Sequence, residues 1–205
     1  MITVIDYGVG NLLSIRNMLH RLGVASRISG DPADVMASAK IILPGIGAFG
    51  HGMTRLKSLG LDEALNRRVL DDGVPILGIC LGMQLFSRRS EEGEVDGLGW
   101  LPADSVVFDN TRLRPRDRVP HMGWSEVAVR GNSRLLSPGD EQSRFYFVHS
   151  YHLVFDNPGE VTGWSTHGYS FASMVESGNI AGVQFHPEKS HRYGMAVLRN
   201  FAERY

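Results

Sequence analysis

The segment Pro75-Ile76-Leu77-Gly78-Ile79-Cys80-Leu81-Gly82 sets the tightest limit on what this chain can fold into. Ile76, Leu77 and Ile79 make an apolar run with no polar alternation, so a strand here has to be covered on both faces. The run ends on a cysteine with glycine two residues to either side, and Leu81 to Ser87 then reads as a helix. A strand that passes straight into a helix makes a sharp, strained turn that crowds the two elements together, and glycines belong in such a turn. The cysteine side chain is lifted out of the sheet at its carboxyl edge, where open α/β sheets hold their sites. It also stands at the start of a helix, where free N–H groups favour a thiolate.

The neighbouring segments agree with that frame. Ile2 to Ile5 is a short β-branched run, followed by Leu12, Ile15, Leu19 and Leu22 at helical spacing and by Gly23 as a stop. Val24 to Ile28 and Ile41 to Leu43 read as further strands, and Leu61, Leu65 and Val69 mark a helix that closes near Asp72-Gly73. This alternation argues for a mostly parallel central sheet flanked by helices. After the polar, glycine-bearing connection Glu91 to Gly99 the signals become short strands. They fall at Asp104 to Phe108, Ser125 to Val129, Phe145 to Val148, His152 to Phe155, Val161 to Thr166 and Ile180 to Phe185. A helix spans Met195 to Phe201. With no repeat or linker in between, residues 1–205 read as a single α/β domain with antiparallel strands in its second half.

A thiol nucleophile needs a base, a group to orient the base, and donors for a developing oxyanion. A lone cysteine is ordinarily a core residue; the glycine frame is what turns the reading of Cys80 toward chemistry. Among the eight histidines, His186 stands just past an expected strand, stiffened by Pro187, with Glu188 two residues on. Cys80, His186 and Glu188 are therefore the candidate triad. The N–H of Leu81 is one oxyanion donor, and the loop Pro44-Gly45-Ile46-Gly47 is a second source, because its glycines let a peptide unit turn toward a substrate. The same freedom lets the loop hold its N–H away, so it is also a candidate switch.

The chain resembles the class I (triad) glutamine amidotransferases and, more narrowly, the glutaminase subunits of imidazole glycerol phosphate synthase. The resemblance rests on Asp6-Tyr7-Gly8-Val9-Gly10-Asn11, Leu43 to Phe49, Gly78 to Gln84, Pro120-His121-Met122-Gly123-Trp124, Tyr146 to Tyr151 and Gly182 to Ser190, which span the chain. It implies a flavodoxin-like fold and a γ-glutamyl thioester on Cys80, with His186 moving the proton and Glu188 holding His186. It implies that Gly45, Gly47, Leu81, Gln84, His149, Ser150 and Tyr151 bind glutamine, His149 through structure rather than as a base. It further implies a heterodimer with a (β/α)8-barrel cyclase of histidine biosynthesis, which receives the ammonia through its interior. Asn11, Met122, Trp124, Tyr146 and Lys189 match positions of that docking face. The flanks Gly50 to Met53 and His191 to Met195 are more similar to paralogues that supply ammonia for amidination of a surface-polysaccharide sugar.

Other classes fit less well. A cysteine peptidase or esterase would share Cys80 and His186 but leaves the docking-face segments unexplained. A metal site from His186, Glu188 and His191 has the wrong spacing, and no cofactor is implied. With 21 Lys plus Arg against 22 Asp plus Glu, the charge gives no general grip on nucleic acid. The run Arg112, Arg114, Arg116 and Arg118 reads either as an acid-facing strip or as a solvated loop. No apolar run approaches the roughly 20 residues of a membrane helix, and the N-terminus carries no signal-peptide pattern, so a cytoplasmic location is expected.

Overall fold

The computed structural model describes residues 1–136 and 143–205. Its first half alternates as expected: β1 (Ile2–Ile5), α1 (Leu12–Arg21), β2 (Ser26–Ser29), α2 (Pro32–Met36), β3 (Lys40–Gly45), α3 (Phe49–Ser58), α4 (Leu61–Asn66), β4 (Ile76–Cys80) and α5 (Leu81–Gln84). The second half carries β5 (Arg89–Ser90), β6 (Val95–Asp96), β7 (Ala103–Val107), β8 (His121–Glu126), β9 (Ala128–Val129), β10 (Arg144–His149), β11 (Tyr151–Phe155), β12 (Val161–His167), β13 (Tyr169–Ser177), β14 (Ile180–Val183) and α6 (His191–Arg204).

Neighbouring strands run β2-β1-β3-β4-β14-β13-β11-β7-β5-β6. The five strands from β2 to β14 pair in parallel, and β14-β13, β13-β11 and β11-β7 pair antiparallel. The chain leaves β1 for β2 on one side and returns to β3 on the other, and the crevice outside the strand ends at such a reversal is the usual site of chemistry. Ile41, Leu43 and Ile76 bury against α3 and α4 on one face, whereas Ile42, Leu77 and Ile79 bury against α1 and α6 on the other. That two-sided burial is why these strands show no polar alternation. β8 and β10 form a separate antiparallel ribbon, in register Trp124 to Tyr146 and His121 to His149.

Two long elements are not apparent in the sequence pattern. In α3, Phe49, Gly52, Met53 and Leu56 face the core at helical spacing, but Gly50 and Gly52 disguise the pattern. A Cβ at Gly52 would meet the Leu81 side chain at 3.3 Å, so the glycine lets α3 approach α5 closely. β13 is poor in β-branched residues, yet Phe171 to Val175 are buried between paired strands, so tertiary packing overrides propensity there. Two expected elements change length. The helix expected over 81–87 closes after Gln84, and the strand expected from Ser125 begins at His121.

A very close backbone approach occurs at Gly82, where a Cβ would lie 1.8 Å from the Leu43 carbonyl oxygen. Gly78 is similarly walled, with the Met83 backbone 2.7 Å from the place of a Cβ. Because neither obstacle is a flexible side chain, Gly82→Ala is expected to cost about 3 kcal/mol or more in urea unfolding. Gly23→Ala, which meets nothing within 4 Å but keeps a positive φ, should cost only about 1–2 kcal/mol. Equal losses at the two positions would contradict the packing argument.

Candidate active site

β4 delivers Cys80 to the carboxyl edge of the sheet with φ 53 and ψ −110, a backbone conformation few side-chain-bearing residues adopt. Gly78 and Gly82 make that turn possible, as the sequence suggested. α5 is only one turn long, so the field of an extended helix is absent and the sulfur depends on local groups. Its own contact is a long one, 4.0 Å to the Val148 carbonyl, and the side-chain amide of Gln184 approaches it at 3.6 Å.

β14 lies beside β4, with Val183 opposite Ile79, so the chain that leaves β14 passes directly over Cys80. His186 follows, its backbone N–H bonded to the Tyr146 carbonyl at 2.9 Å. Pro187 begins a short 3-10 turn, and the Ser190 hydroxyl closes it by donating to the His186 carbonyl at 2.6 Å. His186 Nδ1 lies 2.8 Å from Glu188 Oε1, both side chains being almost wholly buried. This leaves Nε2 buried with no hydrogen-bond partner among the described residues, and Cys80 is, with Glu188, the group that bears on its charge. Burial alone would lower the His186 imidazolium; hydrogen bonds and charge from Cys80 and Glu188 outweigh it and push it up to about 10.

A cavity of about 400 Å³ opens over the sulfur. Gly47, Leu81, Gln84, His149, Ser150 and Tyr151 all line it with Cys80, as anticipated. Gly45 does not. It is buried behind the loop, where a Cβ would lie 2.4 Å from the Tyr7 hydroxyl and 2.9 Å from Leu81. Gly47 has φ +97 with open space around its Cα, so conformation rather than crowding selects glycine there. The cavity also holds Glu92 and Lys189, an acid and a base suited to a zwitterion. Glu92 caps α3 as well, accepting the Phe49 N–H at 2.7 Å.

Comparison with known proteins agrees with this geometry. The family model for "Glutamine amidotransferase class-I" matches residues 3–204. The chain belongs to the class I glutamine amidotransferases. It is 46% identical over 203 residues to imidazole glycerol phosphate synthase subunit HisH 2 of Pseudomonas aeruginosa, covering 99% of each chain. It is 45% identical to the HisH 2 protein of Methanococcus maripaludis, covering 98% of each. The fold is shared with a putative GMP synthase protein from Thermoplasma acidophilum, at TM-score 0.71 and 21% identity, covering 98% of this chain and 91% of that one. The glutaminase domain of a Trypanosoma brucei protein titled CTPS gives TM-score 0.63 at 15% identity, covering 98% and 93%.

Of the residues anticipated for docking in this amidotransferase fold, Lys189 lines the cavity and Asn11, Met122, Trp124 and Tyr146 do not. Met122 is 62% exposed and Trp124 39% exposed on the ribbon of β8 and β10, not core residues. Trp124 stacks on His191 and meets Tyr146 edge-on, and Lys189 lies over the Tyr146 ring. Asn11 is exposed ahead of α1. Of the arginine run, Arg114, Arg116 and Arg118 line a second cavity with Asp117, which pairs with Arg114 at 2.8 Å, and Arg112 covers the Tyr169 ring.

The sequence motifs contain Gln184, Tyr7 and Ser190 without marking a role for any of them, and Glu92 lies outside the motifs. Gln184, Tyr7 and Glu92 act through partners far away in the chain, and Ser190 joins its own turn to the distant Tyr146 N–H. The Tyr7 hydroxyl is buried without a hydrogen-bond partner among the described residues, and burial together with the nearby Cys80 charge holds it well above its ordinary titration range.

His121, His149 and His152 pack around Phe108 in this amidotransferase. Burial lowers His121 and His152 to about 4 and His149 well below its ordinary value. All three stay neutral in the folded chain at pH values where the unfolded chain takes up protons. Their contribution is present above about pH 6.5 and is lost as pH falls toward 4. The urea midpoint should therefore drop between pH 6.5 and 5, above the range where carboxylates dominate. A flat profile across that window would contradict the neutral cluster.

Proposed function

We propose that this chain is the glutaminase subunit of an imidazole glycerol phosphate synthase. It hydrolyses glutamine with Cys80, His186 and Glu188 and hands the ammonia to a (β/α)8-barrel cyclase. The relation of His186 to its neighbours carries the reading: Nδ1 is fixed on Glu188, which leaves Nε2 for the Cys80 sulfur. Family membership and the relatives named as synthase subunits support it. The unit is the whole of residues 1–205, working in the cytoplasm with no cofactor.

In this mechanism glutamine enters with its α-ammonium toward Glu92 and its carboxylate toward the Ser150-Tyr151 backbone. The Cys80 thiolate attacks the side-chain carbonyl carbon. The oxyanion takes N–H groups from Leu81 and from the Gly45–Gly47 loop, whose alignment is worth about 10²–10³ in rate. The C–N bond then breaks as His186 gives its proton to the leaving nitrogen, releasing ammonia and leaving a γ-glutamyl thioester. Water attacks that thioester, His186 takes its proton, and glutamate departs with the thiolate restored. His149 stays neutral and tied to the Tyr151 carbonyl, which suits a structural part. Ammonia released into water would be protonated, and a barrel seated on Met122, Trp124, Tyr146, Lys189 and Asn11 would receive it before that.

Mixing the chain with its barrel cyclase, glutamine and the ribonucleotide acceptor tests this, reading glutamate and cyclised product together. Cys80→Ala should abolish glutamate release. His186→Ala should lose about 10³-fold or more and Glu188→Gln less. Undiminished hydrolysis by the Cys80 variant would overturn the mechanism, and glutamate release that never yields cyclised product would overturn the acceptor. Trp124→Ala should weaken the complex about tenfold or more in a titration, as an exposed aromatic anchor does. Unchanged affinity would move the dock elsewhere.

A further inference from the structure

The orientation of the buried amide beside Cys80 is fixed by one backbone oxygen. The Tyr151 carbonyl can only accept a hydrogen bond. Gln84 faces it at 2.9 Å, so the facing atom of Gln84 has to be its amide nitrogen. The same nitrogen lies 3.0 Å from the side chain of Gln184, so the facing atom of Gln184 has to be its oxygen. The amide nitrogen of Gln184 is thereby turned the other way, onto Cys80 Sγ at 3.6 Å. Gln184 is fully buried and Gln84 nearly so, so these protein partners set the direction of both amides. The backbone N–H of Gln184 is held by the Ser173 carbonyl at 2.9 Å, which sets the side chain's starting point.

The carbonyl is anchored from its other side too. His149 Nδ1 lies 2.8 Å from it and must carry the proton there. His149 Nε2 is then an acceptor for His121 Nδ1 at 3.1 Å, and His121 Nε2 accepts from the Ser125 hydroxyl at 2.9 Å. Every donor and acceptor along this line has one possible direction. Both hydrogens of the Gln84 amide are engaged inside the protein, so its oxygen is the atom left to accept from a ligand in the cavity.

Resting on the glutaminase reading above, we propose that Gln184 is a catalytic residue of this site: its side-chain N–H donates to the Cys80 sulfur, and the Tyr151 carbonyl acting through Gln84 keeps that donor facing the thiolate. A donor there stabilises negative charge on sulfur before attack and again when the thioester collapses. It has little to bind while the sulfur is acylated, because a thioester sulfur is a poor acceptor. An oxygen in the same place would do the reverse, accepting a hydrogen bond from the thiol and so keeping the sulfur protonated and inert.

Because Cys80 is the sole cysteine of the chain, iodoacetamide labelling read by intact mass reports this sulfur without interference. Gln184→Glu keeps an oxygen for the Gln84 amide and replaces only the donor. Gln184→Leu removes both. Relative to wild type at pH 7, labelling should slow about tenfold in Gln184→Glu and several-fold in Gln184→Leu. The Gln184→Leu deficit should close as pH is raised until the sulfur is ionised regardless. In the complex with the barrel, Gln184→Glu should lose kcat at least tenfold with KM within about twofold, since Gln84 keeps its place. Labelling rates equal to wild type across the pH range in both variants, with the melting temperature showing folded protein, would overturn the proposal. A fall in melting temperature with no pH-dependent labelling deficit would assign Gln184 to packing and overturn it equally. If neither variant accumulates as folded protein, Gln84→Met frees the Gln184 amide to turn over. Slower labelling at pH 7 is then expected, and an unchanged rate overturns the assignment. Failure of the glutaminase reading looks different: wild type would label normally and release no glutamate with any barrel partner.

Discussion

The structure depends on the contact between the first turn after Cys80 and the end of β3, where the Gly82 Cα rests against the Leu43 carbonyl. Packing that close admits no side chain. It pulls α5 down onto the sheet and leaves Cys80 at positive φ, tipped out over the carboxyl edge. The same closeness fixes the loop after β3 beside the sulfur, since Gly45 is pressed between Tyr7 and Leu81. Nucleophile and oxyanion loop are thus positioned by one piece of packing, and the strain at Cys80 is held by buried apolar surface on both sides of β4.

Around that frame the second half of the chain supplies polar order. β14 inserts beside β4 and carries Gln184 and His186 past the sulfur. The ribbon of β8 and β10 roofs the cavity and contributes the Val148 to Ser150 wall. The Tyr151 carbonyl joins these parts, accepting from Gln84 on one side and His149 on the other. A carbonyl cannot donate, so its two partners, and every group beyond them, have assigned directions. Neutral histidines suit such a line because burial holds their protons off. The outer face of the same ribbon is where Met122 and Trp124 stand exposed. Val148 of the cavity wall pairs with Met122, and Tyr146 with Trp124, so the wall and the exposed apolar residues share one face of the ribbon while Phe145 and Phe147 face the core.

Much of this was legible from residues alone. The run Ile76 to Ile79 fixed a strand buried on both faces, and the glycine frame around Cys80 fixed the turn, because both are local steric facts. Pro187 and the two-residue step from His186 to Glu188 likewise restrict a side chain by covalent geometry. The helix Phe49–Ser58 was hidden because Gly50 and Gly52, the latter close against Leu81, look like a loop. β13 was hidden because small residues fit between strands that pair on both sides of it.

What the sequence determined by itself was the parallel half of the sheet, the elbow with its nucleophile, and the residue types of the base and its orienter. Each is written in neighbouring residues, where sterics and periodicity act within a few positions. Only the tertiary structure decided that His186 leaves Nε2 for the sulfur, that Gln184 turns a donor toward Cys80, and that Glu92 shares the cavity. Those relations join positions more than 100 residues apart in the chain, as Gln184 and Cys80 are at 104. They follow from strand order and from the direction of buried hydrogen bonds, neither of which a local pattern encodes.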